Sequence, residues 1–139
     1  MFKSVNPVKF VLSAVLSMAV LGSVPARAAD DVFMMPVKPA LETPNAKEKL
    51  DGSVSFYFGD TPHPKVLENY GEFVSNKKTN AFAKSDAETC QHVVLSNFIE
   101  FQERAQSLGG NAVINIKSYF RRNEVKDDSR YECHEGVLL

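Results

Sequence analysis

The feature that most constrains this chain is a single long amphipathic segment, SDAETCQHVVLSNFIEFQERAQSLGG, at positions 85–110. Ser85 followed three residues later by Glu88 is a capping box, a reciprocal pair that satisfies two free backbone donors at a helix start. Behind it Ala87, Cys90, Val94, Phe98, Phe101, Ala105 and Leu108 recur at spacings of three or four. That places them on one face of a helix of about six turns. Gly109 stands where a residue with positive φ commonly ends a helix. Such a helix cannot bury its apolar face alone, so the rest of the chain must supply a surface to cover it.

That surface reads as β-structure. Ser53–Phe58 (SVSFYF) alternates, with Val54, Phe56 and Phe58 pointing one way. NYGEFVSNKKT, 69–79, predicts a second strand interrupted by Gly71. After the helix, Ala112, Ile114, Ile116 and Ser118 alternate with Val113, Asn115, Lys117 and Tyr119, which predicts a third strand. RRNEVKDDS reads as a polar hairpin loop. In the last strand Tyr131, Cys133, Glu135, Val137 and Leu139 alternate with Arg130, Glu132, His134, Gly136 and Leu138. The expected order is β-β-α-β-β, an α+β fold with a small mixed or antiparallel sheet and one long helix packed across it.

The N-terminus has another purpose. Lys3 and Lys9 precede an apolar run, Phe10–Leu21, that is shorter than the roughly 20 residues a membrane-spanning helix needs. Pro25 breaks the run, and Ala26-Arg27-Ala28 is a small-x-small cleavage site. Residues 1–28 therefore predict a cleavable signal peptide, cut after Ala28, and a periplasmic protein with no stable membrane anchor after cleavage. Residues 29–51 read as a proline-containing arm. Pro36, Pro39 and Pro44 exclude a long helix or a central strand there, and Thr43-Pro44 favours a short helix start. Residues 52–139 form the single domain.

Charge narrows the function. Cleavage removes Lys3, Lys9 and Arg27 from 16 basic residues and none of the 17 acidic ones, so the formal balance moves from −1 to −4. A chain of this balance lacks the basic face of a nucleic-acid binder. Arg121-Arg122 is followed at once by Glu124, Asp127 and Asp128. A phosphate loop needs glycines running from a strand into a helix start, whereas Gly109-Gly110 follows a helix end, where the dipole is negative. LGGN thus reads as a helix stop and a tight turn. No nucleophile elbow, zinc-protease motif or carboxylate pair suggests an enzyme. Glu100 and Glu103 read as solvated neighbours on the polar helix face, and no cofactor is implied.

Cys90 and Cys133 allow one intramolecular pairing. The helix from Cys90 to Leu108 rises about 27 Å. The returning strand climbs about 3.3 Å per residue, so position 119 or so comes level with Cys90. The hairpin then brings 131–133 beside 117–119. This geometry favours a structural disulfide over a metal thiolate pair, and no C-x-x-C redox spacing is present. The histidines are His63, between two prolines, His92, two positions from Cys90, and His134, beside Cys133 and Glu135. No zinc-ligand spacing joins them, and all three read as surface residues. His134 with acidic residues between subunits is the one metal candidate.

The stretch AETCQHVVLSNFIEFQERAQSLGGNAVINIKSY, with YECHEGVLL, resembles the small YbjQ-like heavy-metal-binding family. There a helix ending in a similar glycine-asparagine turn leads into a strand. Gly71-Glu72-Phe73, Gly110-Asn111-Ala112-Val113 and Cys133 also resemble the periplasmic domain of the envelope-stress lipoprotein sensor of the Rcs phosphorelay. FYFGD, GEFVSNKKTNAF and GGNAVINI make the chain similar to short exported proteobacterial proteins often labelled excinuclease ATPase subunits. The resemblance covers about 52–139 and implies the α+β fold, but no activity. The chain lacks the Rcs sensor's lipid-anchor cysteine and second disulfide, and nothing in it suits ATP or DNA. Relatives of this kind continue past the GVLL position, so the apolar end Val137–Leu139 is expected to need cover, from the domain itself or from another chain, and self-association through this strand is expected. The function expected from all this is a non-enzymatic periplasmic, envelope-related interaction domain that binds a protein partner or associates with itself. The alternative is a metal-binding module at His134.

Overall fold

The computed structural model describes residues 31–79 and 84–134. The signal segment, its cleavage site after Ala28 and the apolar end Val137–Leu139 lie outside the described residues. Along the chain come β1 (Val32–Pro36), α1 (Val37–Glu42), α2 (Pro44–Lys49), β2 (Ser55–Phe58), α3 (Asp86–Leu108), β3 (Ala112–Ile116), a 3-10 turn (Phe120–Arg122) and β4 (Arg130–His134). The fold is α+β, with one long helix and two small two-stranded sheets. In one sheet β1 runs antiparallel to β4, in the other β2 runs parallel to β3.

The helix follows from its local signals. The Ser85 hydroxyl accepts the Glu88 N–H at 3.3 Å, and the Glu88 carboxylate accepts the Ser85 N–H at 3.0 Å. At the other end Gly109 adopts φ 78°, and the Gly110 N–H reaches back to the Ala105 carbonyl at 2.7 Å. LGGN is the helix stop that its position after the periodic segment predicts. The buried face holds Cys90, Val94, Phe98 and Ala105 as expected, together with Thr89, Leu95 and Gln102. Ala87 and Leu108 are exposed instead.

The proline-rich segment contributes β1 and two short helices. Pro36 ends β1, at a strand edge where its missing N–H is tolerated. The Thr43 hydroxyl caps α2 by accepting the Ala46 N–H at 3.1 Å. Val37 and Ala40 join Phe58, Cys90, Val94, Phe98, Ile116, Tyr131 and Cys133 in one core. Phe98, 1% exposed, stands at its centre with the Phe56 and Phe58 rings at 4.9 and 5.8 Å. Burying such a side chain contributes about 1.5–3 kcal/mol.

Two strand expectations change. Residues 69–79 form no strand: Gly71 takes φ 100°, and the segment lies as an irregular strap against α3. The expected hairpin between the last two strands is reduced to one bridge, Ser118 with Val125, since β4 pairs with β1 and β3 with β2. β3 also breaks its own alternation. Phe56 pairs with Val113 but Phe58 with Ile116, so β3 carries one extra residue, with Asn115 at φ 53°. The bulge puts Val113 and Ile116, rather than Ile114 and Ile116, toward the core. Asparagine is among the few residues that tolerate this left-handed conformation.

Cys90 and Cys133 are joined, with Cα atoms 5.9 Å apart. Both are buried, at 0% and 7% exposure. The bond ties α3 to β4, as the rise of helix and strand predicts. The neighbourhood is also as expected, since the Glu132 N–H donates to the Ser118 hydroxyl at 2.8 Å. Among the described residues no helix is long and apolar enough to cross a membrane.

Candidate functional site

Among the described residues a concavity lies where three distant pieces of sequence meet. The turn after β2, Gly59-Asp60-Thr61, is clasped to the segment before β4. The Gly59 N–H donates to the Ile116 carbonyl at 2.9 Å, which holds the turn at the end of the β2–β3 pair. The Asp60 N–H donates to the Asp128 carboxylate at 2.7 Å, and Lys126 pairs with Asp60 at 2.5 Å. Gly59 has φ 55°, and a Cβ there would collide with the Asp128 carboxylate and lie 3.1 Å from the Asp127 carbonyl carbon. Only glycine allows the two backbones to approach this closely.

Asp127 shapes the other half of the clasp. Its carboxylate accepts the backbone N–H groups of Ser129 and Arg130 at 2.9 and 2.8 Å, and the Arg130 guanidinium at 3.0 Å. The Ser129 N–H first, and Arg130 after it, hold the Asp127 carboxyl below its ordinary range. The Ser129 carbonyl in turn accepts the Val37 N–H at 2.9 Å, which docks the start of α1.

Between these pieces lies an open groove of about 420 Å³. Its apolar lining is Val37, Leu41, Phe56 and Phe58. Lys38, Glu42, Thr61, Asp128 and Ser129 supply the polar lining. Lys38 and Glu42 pair loosely at 3.8 Å along α1 and are both largely exposed. The ionisable groups are thus at the rim, where solvent reaches them, and the deeper lining is aliphatic and aromatic. Such an arrangement holds an apolar group and orients it by a few polar contacts.

The residues singled out from the sequence fall elsewhere. His63 is exposed, with Nδ1 beside the Pro64 carbonyl at 2.8 Å, and His92 is exposed on α3. His134 is not a surface residue. Its side chain is 12% exposed, it stacks on Phe120 at 3.5 Å between ring centres, and Nε2 adjoins the Glu132 carboxylate. Its Nδ1 is buried without a hydrogen-bond partner among the described residues. The acidic neighbour it meets is Glu132, two residues back on the same face of the strand. The period-2 rule could have identified that residue, where attention to Glu135 did not. Among the described residues no three of His, Cys, Asp and Glu gather as a metal site.

Glu100 is likewise not solvated in the manner its polar helix face suggests. Its carboxylate accepts the Ser75 hydroxyl and pairs with Lys77 at 2.9 Å, and those two contacts hold the carboxyl below its ordinary range, the Ser75 bond most. Glu103 is exposed. The Tyr131 phenol is buried without a partner among the described residues, and desolvation raises its pKa strongly. The groove residues escaped sequence reading because no local signal joins positions 37–42, 56–61 and 128–129.

No family model, no curated protein and no solved structure matches this chain.

Proposed function

We propose that this chain is a non-enzymatic interaction domain of the periplasm, and that its groove takes an apolar side chain from a polypeptide partner. The observation that carries the reading is the groove itself: an apolar lining of Val37, Leu41, Phe56 and Phe58 beneath an exposed rim of Lys38, Glu42 and Asp128. An apolar anchor in a pocket surrounded by polar groups is how polypeptide interfaces concentrate their affinity. The buried Cys90–Cys133 bond suits an oxidising, extracytoplasmic compartment, and the export signal read in residues 1–28 agrees with a periplasmic one. The groove's lining has no histidine, no cysteine and no buried ionisable group, which favours binding over catalysis. Screening displayed peptides against the purified chain tests this. Peptides with a leucine or aromatic anchor are expected to bind wild type and to be lost with Leu41→Glu at unchanged far-UV spectrum. Equal binding by both proteins, or none by wild type, refutes it.

A second reading is a metal-binding module. It rests on His134 and Glu132, which meet as two potential ligands in a half-buried place. A metal site there would raise the melting temperature with stoichiometric zinc, and His134→Ala would abolish the gain. The apolar-groove reading expects no such gain.

A further inference from the structure

The strand that lines the groove is paired on one side. The Ser55 N–H donates to the Asn111 carbonyl at 3.0 Å, and the Gly59 N–H donates to the Ile116 carbonyl at 2.9 Å. Backbone groups turn to alternate sides along a strand. Ser55, Tyr57 and Gly59 therefore direct their N–H and C=O groups to β3, and Phe56 and Phe58 direct theirs the other way. Among the described residues β2 pairs with β3 alone, so no strand meets the Phe56 N–H, the Phe56 C=O or the Phe58 N–H. The Phe58 C=O is already taken, by the Thr61 N–H at 3.0 Å. Natural strand edges are commonly blunted by charged residues or proline. Ser55–Phe58 (SFYF) has neither. The unpaired edge and the groove share their residues. Phe56 and Phe58 own the free backbone groups, and they line the groove together with Val37 and Leu41 of α1.

We propose that the groove's occupant is an extended polypeptide segment that joins the β2–β3 pair as a third strand, alongside β2, with apolar side chains at two alternate positions. The inference rests on the groove being a polypeptide site and adds the conformation of what it takes. The Phe56 C=O accepts one N–H of the segment, and the Phe56 and Phe58 N–H groups donate to two of its carbonyls. Side chains two residues apart on an extended chain stand on one face, about 6.6–6.8 Å apart. That is the repeat that sets Phe56 and Phe58 side by side, so two such side chains enter the apolar lining while the main chain meets the edge. Backbone pairing supplies affinity for any extended segment, and the alternate side chains select among sequences. A helical partner has its own backbone groups satisfied and leaves those of β2 bare, and so does a small apolar molecule. The rim, with Lys38 beside Glu42 and Asp128, is of mixed sign, which suits polar flanking residues over a run of one charge.

A capped peptide, Lys-Thr-Leu-Thr-Phe-Thr, and two N-methylated versions of it test this against the purified, isotope-labelled chain. One version carries N-methyl groups on the leucine and phenylalanine amides, the other on the threonine amides between and after them. Every side chain is kept. A strand turns alternate amides to its neighbour, so one version is expected to bind about tenfold more weakly or worse, and the other to bind like the parent. At a parent concentration about ten times its Kd, hydrogen exchange at the Phe56 and Phe58 amides is expected to slow by about tenfold. Two methylated versions that bind equally, or a bound parent that leaves exchange at Phe56 and Phe58 unchanged, overturns strand addition. If Leu41→Glu still abolishes binding of the parent in that case, the groove reading stands. A parent that does not bind also overturns strand addition. Displayed apolar-anchored peptides that bind nonetheless keep the groove reading, and their failure as well removes both.

Discussion

Replacing both cysteines, Cys90→Ala with Cys133→Ala, is expected to lower the melting temperature by about 15 °C. The two residues are 43 apart in sequence. In the chain-entropy account, closing a loop of that length removes about 13 cal/mol/K from the unfolded chain, about 4 kcal/mol at 25 °C. A domain of this size has a total stability of roughly 5–15 kcal/mol, so the loss is a large part of the whole. Each kcal/mol moves the midpoint of a domain of roughly 100 residues by about 4 °C. Lost sulfur packing adds to the effect, because both side chains are buried at 0% and 7% exposure. Calorimetry with and without a strong reductant separates the two contributions. Reductant is expected to move unfolded and refolded wild type most of the way to the variant, and to leave the variant unmoved. A variant that melts with wild type, or a wild type insensitive to reductant after denaturation, refutes the reasoning.

Other perturbations address the clasp, the helix anchor and the strap. Gly59→Ala is expected to cost about 1–3 kcal/mol, since it forces a Cβ against Asp127 and Asp128 at a positive φ, and chemical denaturation measures the shift in midpoint. Gln102→Leu is expected to cost about 1–3 kcal/mol, because the buried amide accepts the Asp51 N–H at 3.0 Å and donates to the Lys49 carbonyl at 3.2 Å, and both backbone groups lose that partner. Glu100 has a folded-state pKa below its ordinary value of 4.5. Its contribution is therefore present in full above that value and is lost as pH falls through the folded pKa. Melting temperatures from pH 7 down to pH 2 should show Glu100→Gln losing less on acidification than wild type, and parallel curves would exclude Glu100 as a source of the dependence.

What was legible in the sequence was local or rested on simple geometry. The α3 caps lie within a few residues of the elements they end, and Cys90, Val94 and Phe98 recur at the helical period. The disulfide was legible because a helix and a strand rise at fixed rates per residue. The alternation of β4 was legible too, with Tyr131 and Cys133 inward at 6% and 7% exposure. Residues 69–79 read as a strand because Phe73 and Val74 carry strand propensity, yet Gly71 turns the backbone and the segment fastens to α3 by side chains instead of a backbone ladder. The bulge at Asn115 was hidden for a similar reason: either Ile114 or Val113 can face a core, and only the pairing with Phe56 decides. His134 reads as a surface residue because its cover comes from Phe120, in a turn whose conformation the sequence does not announce. The groove depends wholly on long-range docking of α1, and the proline-rich composition of that region gave no sign of a surface being built.

The central claim is that the groove between α1, β2 and the Asp128–Ser129 turn receives a polypeptide side chain. Its most direct test is an NMR titration of the isotope-labelled chain with a short peptide that carries one leucine anchor between polar residues. The account predicts saturable shifts centred on Val37, Lys38, Leu41, Phe58 and Ser129, absent when the peptide's leucine is replaced by glutamate. Shifts that cluster around Phe120 and His134, or that persist without the leucine, would contradict it.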